Sequence, residues 1–198
     1  IGVEYTRQLL TELSKLHTQG RGLVETPWVQ TMISQDRINN LTIMIEKGWS
    51  VLQEICGELV DPLKEINLLA RFLEAMSYLN TLDQTIVHGD VKPDNLIISN
   101  QGVAIIDWQG FGTGPPAWDI AYCMCQCLTT EERRLYESEL LDDYPHDLVG
   151  YKESLFFGIV IACALTLLGN PDDPRLGKLV ETTAERTISA MTDAGTLN

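Results

Sequence analysis

Two carboxylates and a carboxamide carry the chemistry that can be read from this sequence. They lie in Val87-His88-Gly89-Asp90-Val91-Lys92-Pro93-Asp94-Asn95-Leu96-Ile97-Ile98 and in Val103-Ala104-Ile105-Ile106-Asp107-Trp108. Asp90 and Asn95 share one loop. The runs from Asn95 to Ser99 and from Val103 to Ile106 read as short strands joined by a hairpin turn at Asn100-Gln101-Gly102. That hairpin returns Asp107 towards Asn95. Hard oxygen ligands on two short loops suit Mg²⁺, which takes few protein ligands and completes its shell with water and phosphate. A further carboxylate beside such an ion can orient an attacking hydroxyl and accept its proton.

The elements that must position these residues are mostly helical. Residues 3–18 place Leu9, Leu10, Leu13 and Leu16 at helical spacing, and Gly20 and Gly22 stop that helix. A loop around Pro27 and Trp28 follows. A second helix runs from Ser34 to about Ile55, with Ile38, Leu41, Ile45, Trp49 and Leu52 in period. Asp61-Pro62-Leu63-Lys64-Glu65 reads as the start of one helix reaching Leu79, with Asp61 as cap, Pro62 in the first turn and Glu65 reaching back. Thr85-Ile86-Val87 is β-like. Gly110 to Pro116 reads as a flexible connection. Further helices are expected over about 117–128, 130–143, 149–168 and 174–192, with a capping box at Thr129-x-x-Glu132 and a stop at Gly169-Asn170-Pro171.

Composition excludes several classes. Of 198 residues, 14 are Lys or Arg and 28 are Asp or Glu, for a net charge of −14. Nucleic-acid binders need a basic patch, and anionic membranes repel such an excess of acid. With 44% hydrophobic residues, the chain can build a core. The longest apolar run, Leu155 to Leu168, is shorter than the ~20 residues a membrane span needs and reads as a buried helix. No secretory signal opens the sequence. The five cysteines, Cys56, Cys123, Cys125, Cys127 and Cys163, have no framework spacing and fit reduced thiols in the cytoplasm. On a helix Cys123 and Cys127 share a face and Cys125 points away, so one metal could not take all three.

His88-Gly89-Asp90-x-x-x-x-Asn95 followed by Ile106-Asp107-Trp108 resembles the signature of the aminoglycoside phosphotransferase and choline kinase-like family of small-molecule kinases, distantly similar to protein kinases. Pro116-Ala117-Trp118-Asp119-Ile120-Ala121-Tyr122 is similar to the family's segment in which an Asp braces the catalytic loop. The resemblance covers about Val87 to Tyr122. It implies an α+β, mostly helical fold: a protein-kinase-like C-terminal lobe with a small β-hairpin at the catalytic loop. It further implies that Asp90 positions the substrate hydroxyl and that Asn95 and Asp107 hold Mg²⁺ against the phosphates of ATP. His88 and Asp119 would support the loop. Lys92, which matches the protein-kinase Asp-x-Lys spacing, would neutralise the transferring phosphoryl group.

Plainer readings stand beside these. Asp90 and Asn95 are also turn formers, Lys92 a surface lysine, and His88 a packed loop histidine rather than a proton shuttle. Trp108 and Trp118 read as anchors. His17 and His146 stand alone and support no role. Gly110-Phe111-Gly112-Thr113-Gly114 lacks the spacing of a phosphate loop and fits an activation-segment-like connection.

Residues 1–87 show no glycine-rich hairpin, strand lysine or paired glutamate. With Ile rather than Met at position 1, residues 1–198 are expected to be the C-terminal lobe alone, without a nucleotide lobe, and weak or inactive by themselves. The implied acceptor is a hydroxyl-bearing small molecule. The negative charge favours a cation such as an aminoglycoside or amino alcohol, with Asp142, Asp143, Asp147 and Glu153 as partners for ammonium groups or as plain solvated charges. A divergent protein kinase and a non-catalytic kinase-shaped binding module are the alternatives. Against the former stand Gly89 in place of the usual Arg, Asp107-Trp108 in place of Asp-Phe-Gly, and the lack of an Ala-Pro-Glu segment.

Overall fold

The computed structural model describes residues 1–168 and 173–197. The expected stop at Gly169-Asn170-Pro171 lies outside the described residues. Nine α-helices and four short strands are described. α1 (Val3–Gly20) and α2 (Gln35–Cys56) follow the predicted periodicity, and the Ser34 side chain caps α2 by accepting the Arg37 N–H.

The single helix expected from Asp61 is two. α3 (Asp61–Lys64) ends after one turn, and α4 (Leu68–Leu79) restarts with the Asn67 side chain accepting the Ala70 N–H at 3.1 Å. Asn67 offers the chain a local cap that competes with helix continuation. Asp61 does not cap: its carboxylate takes Lys64 at 2.6 Å instead.

β1 (Thr85–Val87), β2 (Leu96–Ser99), β3 (Gly102–Ile105) and β4 (Gly112–Gly114) form two antiparallel pairs. The hairpin β2–β3 pairs Leu96 with Ile105 and Ser99 with Gly102. The stretch read as a flexible glycine connection supplies β4, which pairs with β1, Val87 against Gly112. Thr113 also exchanges backbone hydrogen bonds with Gln30 and Met32, tying the loop after α1 to the same ribbon.

The C-terminal half is helical: α5 (Ala117–Cys127), α6 (Thr130–Asp142), α7 (Tyr151–Ser154), α8 (Phe156–Leu165) and α9 (Pro174–Asp193). The Thr129–Glu132 capping box forms in full. α8 is apolar all round because it is buried between α2 and α9. Gly48 allows that approach: a Cβ there would run into the backbone carbonyl of Cys163. No helix among the described residues is long and apolar enough to cross a membrane.

Two apolar cores flank α5. Cys125, Trp118 and Tyr122 face the larger core with Phe72 and Phe157, while Cys123, Cys127 and Ile120 face α1 and Leu140. The cysteines thus divide between opposite faces, all five are free, and no metal-binding cluster of His, Cys, Asp or Glu is found among the described residues. Burial pushes Cys125 and Cys163 up to about 12 and Cys56 up to about 11, so these thiols are inert at neutral pH.

Candidate active site

The loop between β1 and β2 is built from its backbone outward. Gly89 turns it with φ +83°, and a Cβ there would meet Gly110 O at 2.7 Å. A larger residue at this position is therefore excluded by conformation and by space. Pro93–Asn95 form a 3₁₀ turn, closed by the Asn95 N–H donating to Lys92 O at 3.0 Å.

Three of the predicted side chains meet in this loop. Lys92 Nζ donates to Asp90 Oδ2 at 2.7 Å. Asn95 Nδ2 donates to Asp90 Oδ2 at 2.9 Å and to the Asp90 carbonyl at 2.8 Å. Neither donor engages Asp90 Oδ1. With its NH₂ committed to Asp90, Asn95 keeps Oδ1 as an acceptor for something else.

Asp107 stands just beyond β3. The Ile106 N–H donates to Asn95 O at 2.9 Å, so the two loops are joined at their backbones one residue before Asp107. Among the described residues its carboxylate makes no hydrogen bond with Asp90 or Asn95 and accepts one long bond, from Gln109 at 3.4 Å. Asp107 has φ 62° and ψ 66°, the only non-glycine residue with positive φ among the described residues. Such strain persists where surrounding structure enforces it, and it concentrates at functional sites.

Beneath the loop lies a buried network. The Asp119 carboxylate accepts the His88 N–H at 2.7 Å and the Gly89 N–H at 2.8 Å. His88 Nε2 bonds to Ile106 O at 2.9 Å, and its ring meets Trp108 edge-on with centroids 4.8 Å apart. Trp118 is buried against Phe157.

The reading of His17 as a residue without a role is corrected here. His17 is fully buried, with Nε2 3.0 Å from Asp119 Oδ2 and Nδ1 in contact with the Tyr144 hydroxyl. Nothing local signals this, because the partners come from α5 and from the segment after α6. His146 also has partners, Thr18 Oγ1 and Ser14 O. Tyr122 is a further residue that spacing did not single out. Burial and then the adjacent Asp90 carboxyl push its hydroxyl well above the usual phenol range.

A cavity of about 560 Å³ opens beside Asp90, Lys92 and Gly89, walled by α2, α8 and the Gln109-Gly110 turn. That size suits a small organic ligand. None of Asp142, Asp143, Asp147 and Glu153 lines it. Asp143 pairs with Arg7 at 2.9 Å, Asp147 accepts the Val149 N–H at 3.1 Å, and Glu153 lines a separate hollow with Arg71 and Lys152. Of the two readings of these carboxylates, their places outside this cavity agree with plain surface charges.

The sequence model of the phosphotransferase enzyme family matches residues 46–153, more than half of the chain. The fold is that of the protein-kinase-like phosphotransferases. A choline kinase from Streptococcus pneumoniae superimposes with a TM-score of 0.56 at 18% identity, covering 94% of this chain and 64% of its own. An aminoglycoside phosphotransferase from Alicyclobacillus acidocaldarius superimposes with a TM-score of 0.53 at 16% identity, covering 97% and 64%. This chain belongs to the phosphotransferase enzyme family, as its His-Gly-Asp and Ile-Asp-Trp motifs led us to expect. It spans 64% of the length of those two structures. A complex of the same choline kinase with AMP gives a TM-score of 0.50 at 17% identity, covering 94% and 64%. No curated protein sequence matches the chain.

Proposed function

We propose that this chain is the C-terminal, catalytic lobe of an ATP- and Mg²⁺-dependent phosphotransferase acting on a hydroxyl group of a small molecule. One observation carries the reading. Asp90 sits at a ligand-sized cavity with Oδ2 fixed by Lys92 and Asn95, neither of which engages Oδ1, and with the Tyr122 hydroxyl beside its carboxyl.

In this mechanism Asp90 Oδ1 accepts the hydrogen of the acceptor hydroxyl and aims the oxygen at the phosphoryl group. The new O–P bond forms as the bond to the leaving nucleotide breaks, and Asp90 relays the proton to solvent. Lys92 has three donors and spends one on Asp90, so the others are available to the transferring phosphoryl oxygens. Asn95 Oδ1 and the Asp107 carboxylate, both hard oxygen donors, would hold Mg²⁺, and Asn95 Oδ1 has no competing donor among the described residues. When bound, the ion would supply charge neutralisation at the nucleotide phosphates. His88 and Asp119 hold the loop that carries Asp90 and contact no reacting group. A nucleotide named in a neighbouring structure supports nucleotide use here. The free thiols support a reducing, cytoplasmic location.

Residues 3–79 form helices and connecting loops, with no strand beyond one isolated bridge at Thr31, so the strand lysine and glycine-rich hairpin that grip ATP in such kinases would come from a separate nucleotide lobe. Acceptor-dependent ADP release by the whole protein is the test. Asp90→Asn lowers turnover ~10²–10⁴-fold while thermal unfolding stays near that of the parent. Turnover surviving that change would remove Asp90 from the chemistry and leave the kinase-shaped binding module as the better reading.

A further inference from the structure

The charge inside the cavity runs against the charge of the chain. The whole sequence carries −14, yet among the described residues the charged ones lining the space beside Asp90 are Asp90, Lys92 and Arg37. Asp90 and Lys92 neutralise each other at 2.7 Å. Arg37, in the first turn of α2, has no carboxylate partner among the described residues. Its Nη2 donates to Gly110 O at 3.0 Å, and its Nη1 lies against Met32 Sδ. A guanidinium has five donors, so several remain unused. Burial draws its pKa below the usual arginine value, as expected for a cation held half out of water with nothing to balance it.

Asn40 and Gln109 add two polar side chains, and the rest of the wall is mostly apolar: Leu41 and Met44 from α2, and Phe157, Ile161 and Leu165 from the α8 side. An ammonium-rich acceptor would lose its hydration there and meet Arg37 as a like charge. A molecule with an apolar body would bury that body and could place an oxyanion on Arg37.

We propose that the acceptor is a hydroxyl-bearing molecule with an apolar body and an anionic oxygen group, its hydroxyl at Asp90 and its anion at Arg37. This inference rests on the phosphotransferase reading for the role of the hydroxyl. Its test needs no turnover.

Calorimetric titration of the chain with 12-hydroxydodecanoate, 12-amino-1-dodecanol, choline, kanamycin and AMP separates the outcomes. The hydroxy acid is expected to bind one to one, at least ~10-fold tighter than the amino alcohol, with choline and kanamycin weaker still. Arg37→Gln is expected to abolish the preference for the acid, and Arg37→Lys to restore part of it. Ala164→Phe, which fills the cavity wall, is expected to weaken both chain-bearing ligands alike. Circular dichroism checks that each variant is folded, and the Arg37 pair decides the matter if Ala164→Phe is not.

Tighter binding of the amino alcohol or kanamycin overturns the proposal, as does a preference for the acid that survives Arg37→Gln. If Arg37→Gln weakens AMP but leaves the hydroxy acid unchanged, the anion at Arg37 belongs to the nucleotide and the proposal fails. Acid-selective binding without phosphoryl transfer in the whole protein would instead refute the catalytic reading and leave the ligand class standing.

Discussion

His17 and Asp119, 102 residues apart in sequence, meet at 3.0 Å in a fully buried contact. A ring carrying its proton on Nε2 donates to Asp119 and accepts from the Tyr144 hydroxyl on Nδ1. Asp119 in turn holds two successive N–H groups of the loop that carries Asp90. Replacing Asp119 by Asn leaves one acceptor oxygen where two are used, at a cost of ~3–5 kcal/mol. His17→Phe leaves the Tyr144 hydroxyl and part of the carboxylate unpartnered, at ~1–3 kcal/mol. Urea midpoints measure both, and an Asp119→Asn protein of parental stability would refute the bracing role.

Asp107→Gly is expected to move stability and function in opposite directions. Glycine accepts φ 62° without the penalty an L side chain carries, so the native state gains ~1 kcal/mol. The same change deletes a proposed Mg²⁺ ligand, and phosphoryl transfer should fall at least ~100-fold. Differential scanning calorimetry paired with a turnover assay checks the two signs together. A destabilised Asp107→Gly protein would show that the side chain, not the cation site, explains the conformation.

Gly89→Ala is expected to destabilise by about 2 kcal/mol or more. The added Cβ meets both an unfavourable φ of +83° and the Gly110 carbonyl, a backbone atom that cannot swing aside. The same geometry explains why Arg, common at this position in protein kinases, is absent here. A Gly89→Ala melting temperature within one degree of the parent would contradict it.

Buried thiols predict an alkaline limit. Cys125 and Cys163 are pushed up to about 12 by burial, against an ordinary 9.0. Below pH 9 both states keep the proton, and stability is full. From pH 9 towards 12 the unfolded chain ionises first, so stability falls as pH rises. At pH 10 each thiol should cost ~1 kcal/mol relative to pH 7.5. Urea midpoints at the two pH values, for the parent and for the Cys125→Ala, Cys163→Ala pair, measure this. An equal fall in both proteins would place the effect on other groups.

Much of the fold was legible because its signals are local. The Thr129–Glu132 box, the periodic leucines of α1 and the apolar run in α8 depend on neighbours within a few residues, and each appears in place. The motif loop was likewise legible, since Asp90, Lys92 and Asn95 meet within a single turn of chain. The helix expected over 61–79 broke because a local rule was misjudged: Asn67 caps more strongly than the apolar pattern propagates. Gly112–Gly114 was silent as a strand, since glycines carry no side-chain pattern and pairing with Val87 is settled by backbone hydrogen bonds.

The sequence alone determined most of the helices and the family motif, since helix period, caps and turn residues act over one or two turns. Only the tertiary structure decided what those residues face. It made His17 a partner of Asp119, and it put Arg37 rather than the acidic residues beside the cavity at Asp90. Net charge sums over the whole surface, whereas a ligand meets only the few groups that folding brings around it, in a medium where each charge counts for more.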